Sequence, residues 1–428
     1  MIIKLTTKTD YPAKAQWYFP NQLLTNPDYV TTFTKAWKEE WGNIKMTNKK
    51  WEQCKTWIRK FTIDWKKSTK NTTNELKSLK KDLSKMKYFA SKSTIRSTRR
   101  ENTIRNIKTK ISIIEIQNQK NKHEDYTYLH QMHTEKANRP YFGIERKMRM
   151  THDRIISELV NPYSNKIYTK SREIVELAAR PYYQNLYDHK PTNGCAQKIA
   201  LDSINKIIPP QLRKSMSKPI TTEEISISIK SLASGKSPGL DGITIDFYKK
   251  FEELITPKLL ELYKQSYTQT ILPASTRSSV ISLLHKKKER NDIKNYRPLS
   301  LTNNDYKILS KALQLRMNPA MNHVIGIEQN GFVPARFIAE NNMLLHEIIE
   351  YTQKYYTKKE GLLLFLDFEK AFDRVDHDFM LQVLDRMAFP SEFLNWIQLL
   401  YTSSTTSVRI NNINSKSLNL NSGVRQGI

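Results

Sequence analysis

Most apolar positions along this chain recur every three to four residues, the spacing of one face of an α-helix, and few stretches read as strands. Residues 1 to about 43 include WYFPNQLLTNPDYVTTFTKAWKEEW, an aromatic and leucine segment whose second half is helical and starts at Pro27. From 44 to about 137 the pattern is helical and basic. Leu76, Leu79, Leu83 and Met86 fall at i, i+3, i+7 and i+10, and Ile104, Ile107, Ile111 and Ile114 repeat that spacing. Two such narrow seams predict a pair of helices packed as an antiparallel hairpin. Between 138 and 215, NPYSNKIY reads as a turn joining two short extended pieces, and SREIVELAARPYYQNLYD as a helix carrying Tyr182, Tyr183 and Tyr187. Those tyrosines either pack against a neighbouring domain or touch a partner.

The last half is the best ordered. Thr221 and Glu224 have the spacing of a capping box before a helix with Ile225, Ile229 and Leu232 on one face. SGKSPGLDG is a Gly/Pro loop, IDFYKKFEELI opens a helix expected to break near Pro257, and SSVISLLHKKK is a strand ending in a basic turn. IAENNMLLHEIIEYTQ predicts a long helix, DFMLQVLDRM and SEFLNWIQLLY two more, and TTSVRI, NNIN and SKSLNL a hairpin with an Asn-rich turn. One run fits neither period. Leu362 to Leu366 (LLLFL) is wholly apolar, follows a Gly and ends on Asp367, which predicts a strand buried on both faces with a carboxylate at its tip. Such a carboxylate is costly to desolvate unless something neutralises it, and a divalent cation would.

Charge narrows the partner. Of 428 residues, 70 are Lys or Arg and 42 Asp or Glu, a formal net charge of +28. Lys45 to Arg149 alone holds 28 basic against 10 acidic side chains. That block favours a polyanion, most simply nucleic acid, over a merely solvated helical face. The two cysteines, Cys54 and Cys195, exclude a disulfide framework and a zinc cluster and fit a reducing, intracellular setting. No apolar run reaches the roughly 20 residues of a membrane span, and the start is too short in apolar residues for a signal peptide. A P-loop reading of ASGKSPG fails, because Lys230 stands where that motif needs its first glycine.

FLDFEKAFDRVDH, around Asp367, resembles the first palm motif of reverse transcriptases, in particular those of LINE-type non-LTR retrotransposons. Four further strings follow the same family in order: KSPGLDGI, LLHKK with NYRPLSLTNNDYKILSK, QNGFVPARFIAEN, and SGVRQGI at 422–428. The resemblance implies an α+β fold, the fingers and an incomplete palm of a right-hand polymerase preceded by a basic helical segment. It divides the chain into 1–43, a remnant of an endonuclease-like domain; 44–137, a basic hairpin or linker; 138–215, an N-terminal extension; and 216–428, fingers and partial palm. By position, Asp367 would bind metal with the Phe368 carbonyl as a further ligand, the cofactor being Mg²⁺ or Mn²⁺. Phe372 would lie under the sugar and exclude a 2′-hydroxyl, or else be a core aromatic. Lys286 and Arg297 would contact the triphosphate, and Gln426 and Gly427 the incoming nucleotide. Lys236, Arg336 and Arg425 would face nucleic acid. Asp373 and Asp376 are expected to cap or pair rather than bind metal.

The implied reaction is RNA-templated addition of deoxynucleotides to a DNA 3′ end by two-metal catalysis. Its partners would be an RNA template, a DNA primer and deoxynucleoside triphosphates, with a nuclear step and a cytoplasmic phase. The family's second palm motif ends in paired aspartates, and no Asp-Asp pair occurs in these 428 residues. The chain is therefore expected to be a truncated reading frame, inactive by itself, with exposed apolar surface around its first palm strand. Two other readings stay open: a non-catalytic RNA- or DNA-binding remnant, and a helical scaffold that would explain 44–137 alone.

Overall fold

The computed structural model describes residues 16–92, 102–112, 155–333, 335–355 and 362–425, with the side chains of 69–77 and 87–92 outside that description. Helices dominate. α1 (Pro27–Trp41) starts as expected, with Pro27 in its first turn and the Asn26 side chain accepting from the Tyr29 amide at 2.9 Å. Tyr29, Phe33, Trp37 and Trp41 recur every fourth residue along it and all four are buried. α2 (Asn48–Lys92) is 45 residues long and sets Trp57, Phe61 and Trp65 against that stripe. The Phe33 ring lies 5.4 Å from Phe61 and 4.4 Å from Phe251, so the two N-terminal helices share their aromatic layer with residues 200 positions away. Each such ring pair adds about 0.5–1.5 kcal/mol to the area it buries.

The expected boundary at residue 43 thus falls inside a single core. Phe19 to Ile58 is buried with Ile208 to Leu272, Tyr306 to Val324 and Phe389 to Leu400. Forty residues bury too little apolar surface to fold alone, and here the described ones pack on residues 208–272 and 306–324 instead. The two seams of the basic region keep their pattern. Leu79, Leu83 and Met86 are half-buried, Ile111 of the helix at 102–112 is buried, and the Lys81, Lys85, Lys108 and Lys110 side chains are exposed.

A short hairpin of β1 (Leu159–Val160) and β2 (Ile167–Tyr168) forms around the NPYS turn. It leads into α3, a continuous helical run of Ser171–Glu173, Ile174–Ala179 and Arg180–Tyr187 whose middle part is π-wound. The run buries Ile174, Val175, Tyr183 and Tyr187 against Ile281, Val408 and Leu418 of the sheet. The tyrosines therefore pack. α4 (Thr222–Ser231) carries the capping box, with the Thr221 hydroxyl accepting from the Glu224 amide and the Glu224 carboxylate from the Thr221 amide. α5 (Ile245–Lys250) and α6 (Glu252–Gln269) are separated at Phe251, whose φ of −108° and ψ of 29° leave the helical region. The break expected at Pro257 is not there: Pro257 lies inside α6. Buried Phe251, locked between Phe33 and Phe247, sets the bend six residues earlier.

β3 (Ser278–His285) and β4 (Tyr296–Thr302) form an antiparallel hairpin, followed by α7 (Asn304–Val324) and α8 (Ala339–Tyr355). α9 (His377–Arg386) and α10 (Ser391–Tyr401) precede β5 (Thr405–Ile410), which lies parallel to β3 with Ile281 opposite Val408. β6 (Ile413–Asn414) and β7 (Leu418–Asn419) both pair with β5. The Asn-rich turn is confirmed: Asn411 and Asn412 take φ of 50° and 65°, the left-handed region a two-residue hairpin turn requires. The fold is mixed helix and sheet, with the strand order β4-β3-β5-β6.

Residues 362–368 overturn one expectation. They are extended but pair with no strand among the described residues, and Leu362, Leu364, Phe365 and Leu366 are 73–90% exposed. An apolar run makes a buried strand only where a neighbouring backbone completes its hydrogen bonds and side chains cover both faces. The exposed apolar surface foreseen for this region is present. α8 has no buried residue either, and Met343, Tyr351 and Tyr355 are exposed along it.

One buried ion cluster ties α2 to the rest. The Lys55 ammonium lies 2.9 Å from Asp241, 2.5 Å from Asp305 and 2.9 Å from the Ser275 hydroxyl. Asp305 also accepts from Trp51 Nε1 at 2.8 Å and Thr276 at 2.7 Å. Burial alone would push Lys55 down, but two adjacent carboxylates overrule it and hold the ammonium above the ordinary lysine range. Burial also raises both carboxyls. At Asp305 the Lys55 charge and three donors win and its pKa falls below the usual value, whereas Asp241 stays raised, with Asp305 repelling it.

These directions fix the sign of three variants and of the acid limb. Asp305, depressed in the fold, stabilises above the unfolded carboxylate pKa and loses that contribution as pH falls through its folded value. Asp241, raised, favours folding only while protonated and loses that contribution as pH rises through its folded value. Lys55, raised, loses its contribution only at pH above the ordinary lysine range. In urea melts at pH 7, Lys55→Met and Asp305→Asn are expected to lose about 3–5 kcal/mol, the cost of stranding buried charge. Asp241→Asn is expected to lose distinctly less than Asp305→Asn; equal losses would contradict this assignment.

Candidate active site

The sequence of residues 367–376 folds as a tight turn between the extended stretch and α9. Lys370 adopts φ +55°, and Ala371–Arg374 follow as a 3-10 turn closed by the Asp373 amide donating to the Lys370 carbonyl at 2.9 Å. Asp373 is buried and accepts from the Tyr187 hydroxyl at 3.3 Å. Asp376 caps α9, accepting from the Phe379 amide at 2.8 Å. Asp376 therefore has the capping role expected of it, whereas the Asp373 carboxylate is met by a tyrosine hydroxyl, where the sequence suggested a cap or an ion pair. Asp367 and Phe368 precede the turn on the exposed stretch, with Phe368 81% exposed.

The segment 422–425 clasps this turn. The Gly423 amide donates to the Val375 carbonyl at 2.7 Å and the Val424 amide to the Phe372 carbonyl at 2.8 Å, while Ser422 pairs with Asp376. Gly423 sits at φ +84°, and a Cβ there would come within 2.7 Å of the Asp373 carbonyl oxygen. Only glycine tolerates both the conformation and the approach. His377 Nε2 donates to the Gly423 carbonyl at 2.9 Å. Two motifs 50 residues apart in sequence thus form one surface.

The remaining expected residues divide. Phe372 is half exposed and meets Phe332 edge-on at 6.1 Å, so it is not a core aromatic. Lys286 leaves the end of β3, its amide bonded to the Asn295 carbonyl at 2.9 Å, and its side chain is exposed. Arg297, opposite Leu284 on β4, is exposed as well. Lys236 is exposed on a loop whose other residues are pinned: Gln16 donates to the Gly239 carbonyl, and the Phe19 amide to that of Gly242. Arg336 does not face a partner. Its guanidinium donates to the carbonyls of Ile325, Gly326 and Gln329 and braces that turn. Arg425 likewise turns inward, stacked 4.5 Å over the Tyr306 ring and bonded to the Arg277 carbonyl at 2.6 Å. In both cases buried or half-buried carbonyls compete for an arginine fork that the sequence alone leaves free. Gln426 and Gly427 lie outside the described residues.

Sequence reasoning missed a basic cavity beside the turn. About 700 Å³ in volume, it is lined by Tyr163, Tyr182, Lys190, Lys294, Lys370 and Arg374 among others. Lys370 bonds the Tyr182 hydroxyl and lies 4.6 Å over that ring. Burial lowers the Lys370 pKa; Asp373 and Glu369 oppose that shift, while Lys286 and Arg374 reinforce it. That coupling places Lys286 within electrostatic reach of the turn. The clue was available: Lys370 stands between Asp367 and Phe372 in FEKAF, a cation inside an acidic motif.

A two-ion phosphoryl-transfer site needs carboxylates that hold two cations about 3.5–4 Å apart. Asp367 and the Phe368 carbonyl offer one carboxylate and one neutral oxygen, and among the described residues no three His, Cys, Asp or Glu side chains gather. That donor set does not fit two ions. Among the described residues no helix is long and apolar enough to cross a membrane.

Comparison with known proteins agrees with the family resemblance. Residues 284–428 match the family model described as reverse transcriptase (RNA-dependent DNA polymerase). Over 99% of its length the chain is 27% identical to an uncharacterized 149 kDa protein of transposon TX1 from Xenopus laevis, of which it covers 32%. It is 24% identical, over 68% of its length, to a Pol polyprotein of the type-2 retrotransposable element R2DM of Drosophila melanogaster, covering 26% of it. A probable RNA-directed DNA polymerase of transposon BS from the same fly is 27% identical over 49% of this chain, which covers 23% of that protein. The chain spans about a third or less of the length of these relatives.

Gly423→Ala is expected to unclasp the turn. The strain of a positive φ and the contact with Asp373 together amount to about 1–3 kcal/mol. Hydrogen exchange at the Val424 amide should accelerate by roughly fivefold to a hundredfold, since 1.4 kcal/mol is about a factor of ten. Unchanged protection would show that the clasp does not depend on glycine.

Proposed function

We propose that this chain, which carries a reverse transcriptase domain like those of non-LTR retrotransposon proteins, forms the fingers and part of the palm of a right-hand RNA-directed DNA polymerase. The observation that supports this best is the docking of 422–425 on the turn after Asp367. In this reading the two neighbouring segments would be the first palm motif and the one that follows it, beside the sheet whose strands β3 and β4 carry Lys286 and Arg297 at their joined end.

In this reading Lys286, Arg297 and Lys370 supply positive charge for the triphosphate of an incoming deoxynucleotide, and guanidinium binds phosphate oxygens in bidentate fashion. The exposed Phe372 ring would, in this reading, exclude a 2′-hydroxyl. Lys236 offers charge to a template strand. The parent reaction extends a DNA 3′ end on an RNA template, with a nuclear step. Mg²⁺ or Mn²⁺ would supply electrostatic stabilisation of the developing charge if bound by Asp367 together with further carboxylates, which the described residues do not bring together.

A second reading, nucleic-acid binding without synthesis, is favoured for the 428-residue chain by itself. Its observation is the incomplete donor set around Asp367 beside an intact basic surface. Primer extension on an RNA template with Mg²⁺ or Mn²⁺ is expected to give no product from this polypeptide, while a labelled template–primer binds with a steep salt dependence. Template-dependent synthesis would reject inactivity of the isolated chain. Absence of binding would reject the nucleic-acid reading as a whole.

A further inference from the structure

α2 changes character midway. Up to Trp65 it is part of the core: Trp51, Cys54, Lys55, Ile58 and Thr62 are buried, and Lys55 is held by Asp241 and Asp305. Beyond Trp65 none of its described residues is buried, although the helix runs on to Lys92. At about 1.5 Å per residue those 27 positions extend roughly 40 Å. Residues 66–92 hold nine Lys against two acidic side chains, and the accompanying helix at 102–112 adds Arg105, Lys108 and Lys110 with no acid.

Lys81 and Lys85 stand one turn apart, as do Arg105 and Lys108, and like charges at that spacing destabilise a helix by a few tenths of a kcal/mol each. The apolar stripe of Leu79, Leu83 and Met86 is half-covered, so these cations point away from the seam. A solvated face would be served equally well by mixed signs. At 78–86 and 102–112 six exposed cations, Lys80, Lys81, Lys85, Arg105, Lys108 and Lys110, stand against one exposed carboxylate, Asp82, and an excess of that size on a mounted helix is relieved by a polyanion. Residues 78–86 and 102–112 contain no aromatic side chain on which an unstacked base could rest, and no Asn or Gln at 78–86 to read a base edge.

We propose that the outer half of α2 and the helix at 102–112 form an arm that binds the phosphate backbone of a nucleic-acid duplex, independent of sequence and separate from the surface at Asp367. The proposal rests on the nucleic-acid reading above and assigns part of that binding to one place. The near half of α2 supplies the mount, and the Lys55 cluster fixes its angle to the fingers loop.

The test uses the full 428-residue chain and a fluorescent 20-base-pair DNA duplex of arbitrary sequence, titrated by anisotropy from 50 to 250 mM salt. Lys81→Glu, Lys85→Glu, Lys108→Glu and Lys110→Glu are combined in one variant. A control of equal charge change combines Lys198→Glu, Lys214→Glu, Lys218→Glu and Lys264→Glu, all exposed on the body. The arm variant should bind at least tenfold more weakly, with a salt slope shallower by roughly 3–4, since each phosphate contact contributes about 0.9. The control should stay within about threefold of the parent, and the melting temperatures of all three proteins should agree. Equal weakening of both variants would trace binding to net charge and overturn the arm. An arm variant that binds like the parent would overturn the arm and leave the nucleic-acid reading standing, whereas a parent that does not bind duplex would remove both. Displacement of duplex by polyglutamate at equal charge concentration would point to an acidic protein partner and also overturn the proposal.

Discussion

Lys55 occupies the position on which the N-terminal half of the structure depends. A lysine that enters a protein interior loses hydration worth several kcal/mol, and it remains charged only where carboxylates replace the water. Here the two carboxylates come from different places: Asp241 from the loop between α4 and α5, and Asp305 from the first turn of α7. Trp51 and Thr276 satisfy what remains of Asp305. Asn303 extends the same polar layer, accepting from the Asp241 amide and donating to the Ser275 carbonyl. The cluster therefore fixes α2, the glycine-rich loop and the β4–α7 junction relative to one another. Hydrophobic burial holds these elements together; the directional polar contacts specify their register.

The consequence reaches the candidate site through the sheet. β3 is the strand shared by both halves, paired with β4 on one side and with β5 on the other. α3 covers one face with its tyrosines, and the same tyrosines reach the turn after Asp367 through Tyr187 to Asp373 and Tyr182 to Lys370. The segment at 422–425 closes that turn from the opposite side. What results is a cavity whose lining holds four basic side chains, Lys190, Lys294, Lys370 and Arg374, against two acidic ones, Glu369 and Asp376, an arrangement that favours anions. The apolar faces of 362–368 and α8 stay uncovered among the described residues, and they form the largest departure from a closed core.

Local structure was legible wherever a short pattern had its own physical cause. The proline start of α1, the Thr221–Glu224 box, the Asn411–Asn412 turn and the strand β3 with its basic turn all depend on contacts between near neighbours. The motif order around Asp367 was equally legible, and the family comparison agrees with the resemblance it carries. The membership of residues 16–65 in the main core was not. An aromatic stripe on a helix announces that it will be buried, but not against what, and Phe33 meets Phe251, 218 positions further along the chain. The bend at Phe251 in place of Pro257 has the same origin.

By itself the sequence determined which segments become helices and strands, that the chain is strongly basic, and which side chains belong to the motif around Asp367. These follow from spacing, charge and turn chemistry within a few residues. The tertiary structure alone decided that Lys55 would be an internal ion, that Arg336 and Arg425 would turn inward, and that Lys370 would join the site. It also decided that LLLFL would lie open. Each of those outcomes depends on which distant carboxylate, carbonyl or strand comes within a few ångströms, and no local pattern encodes that neighbour.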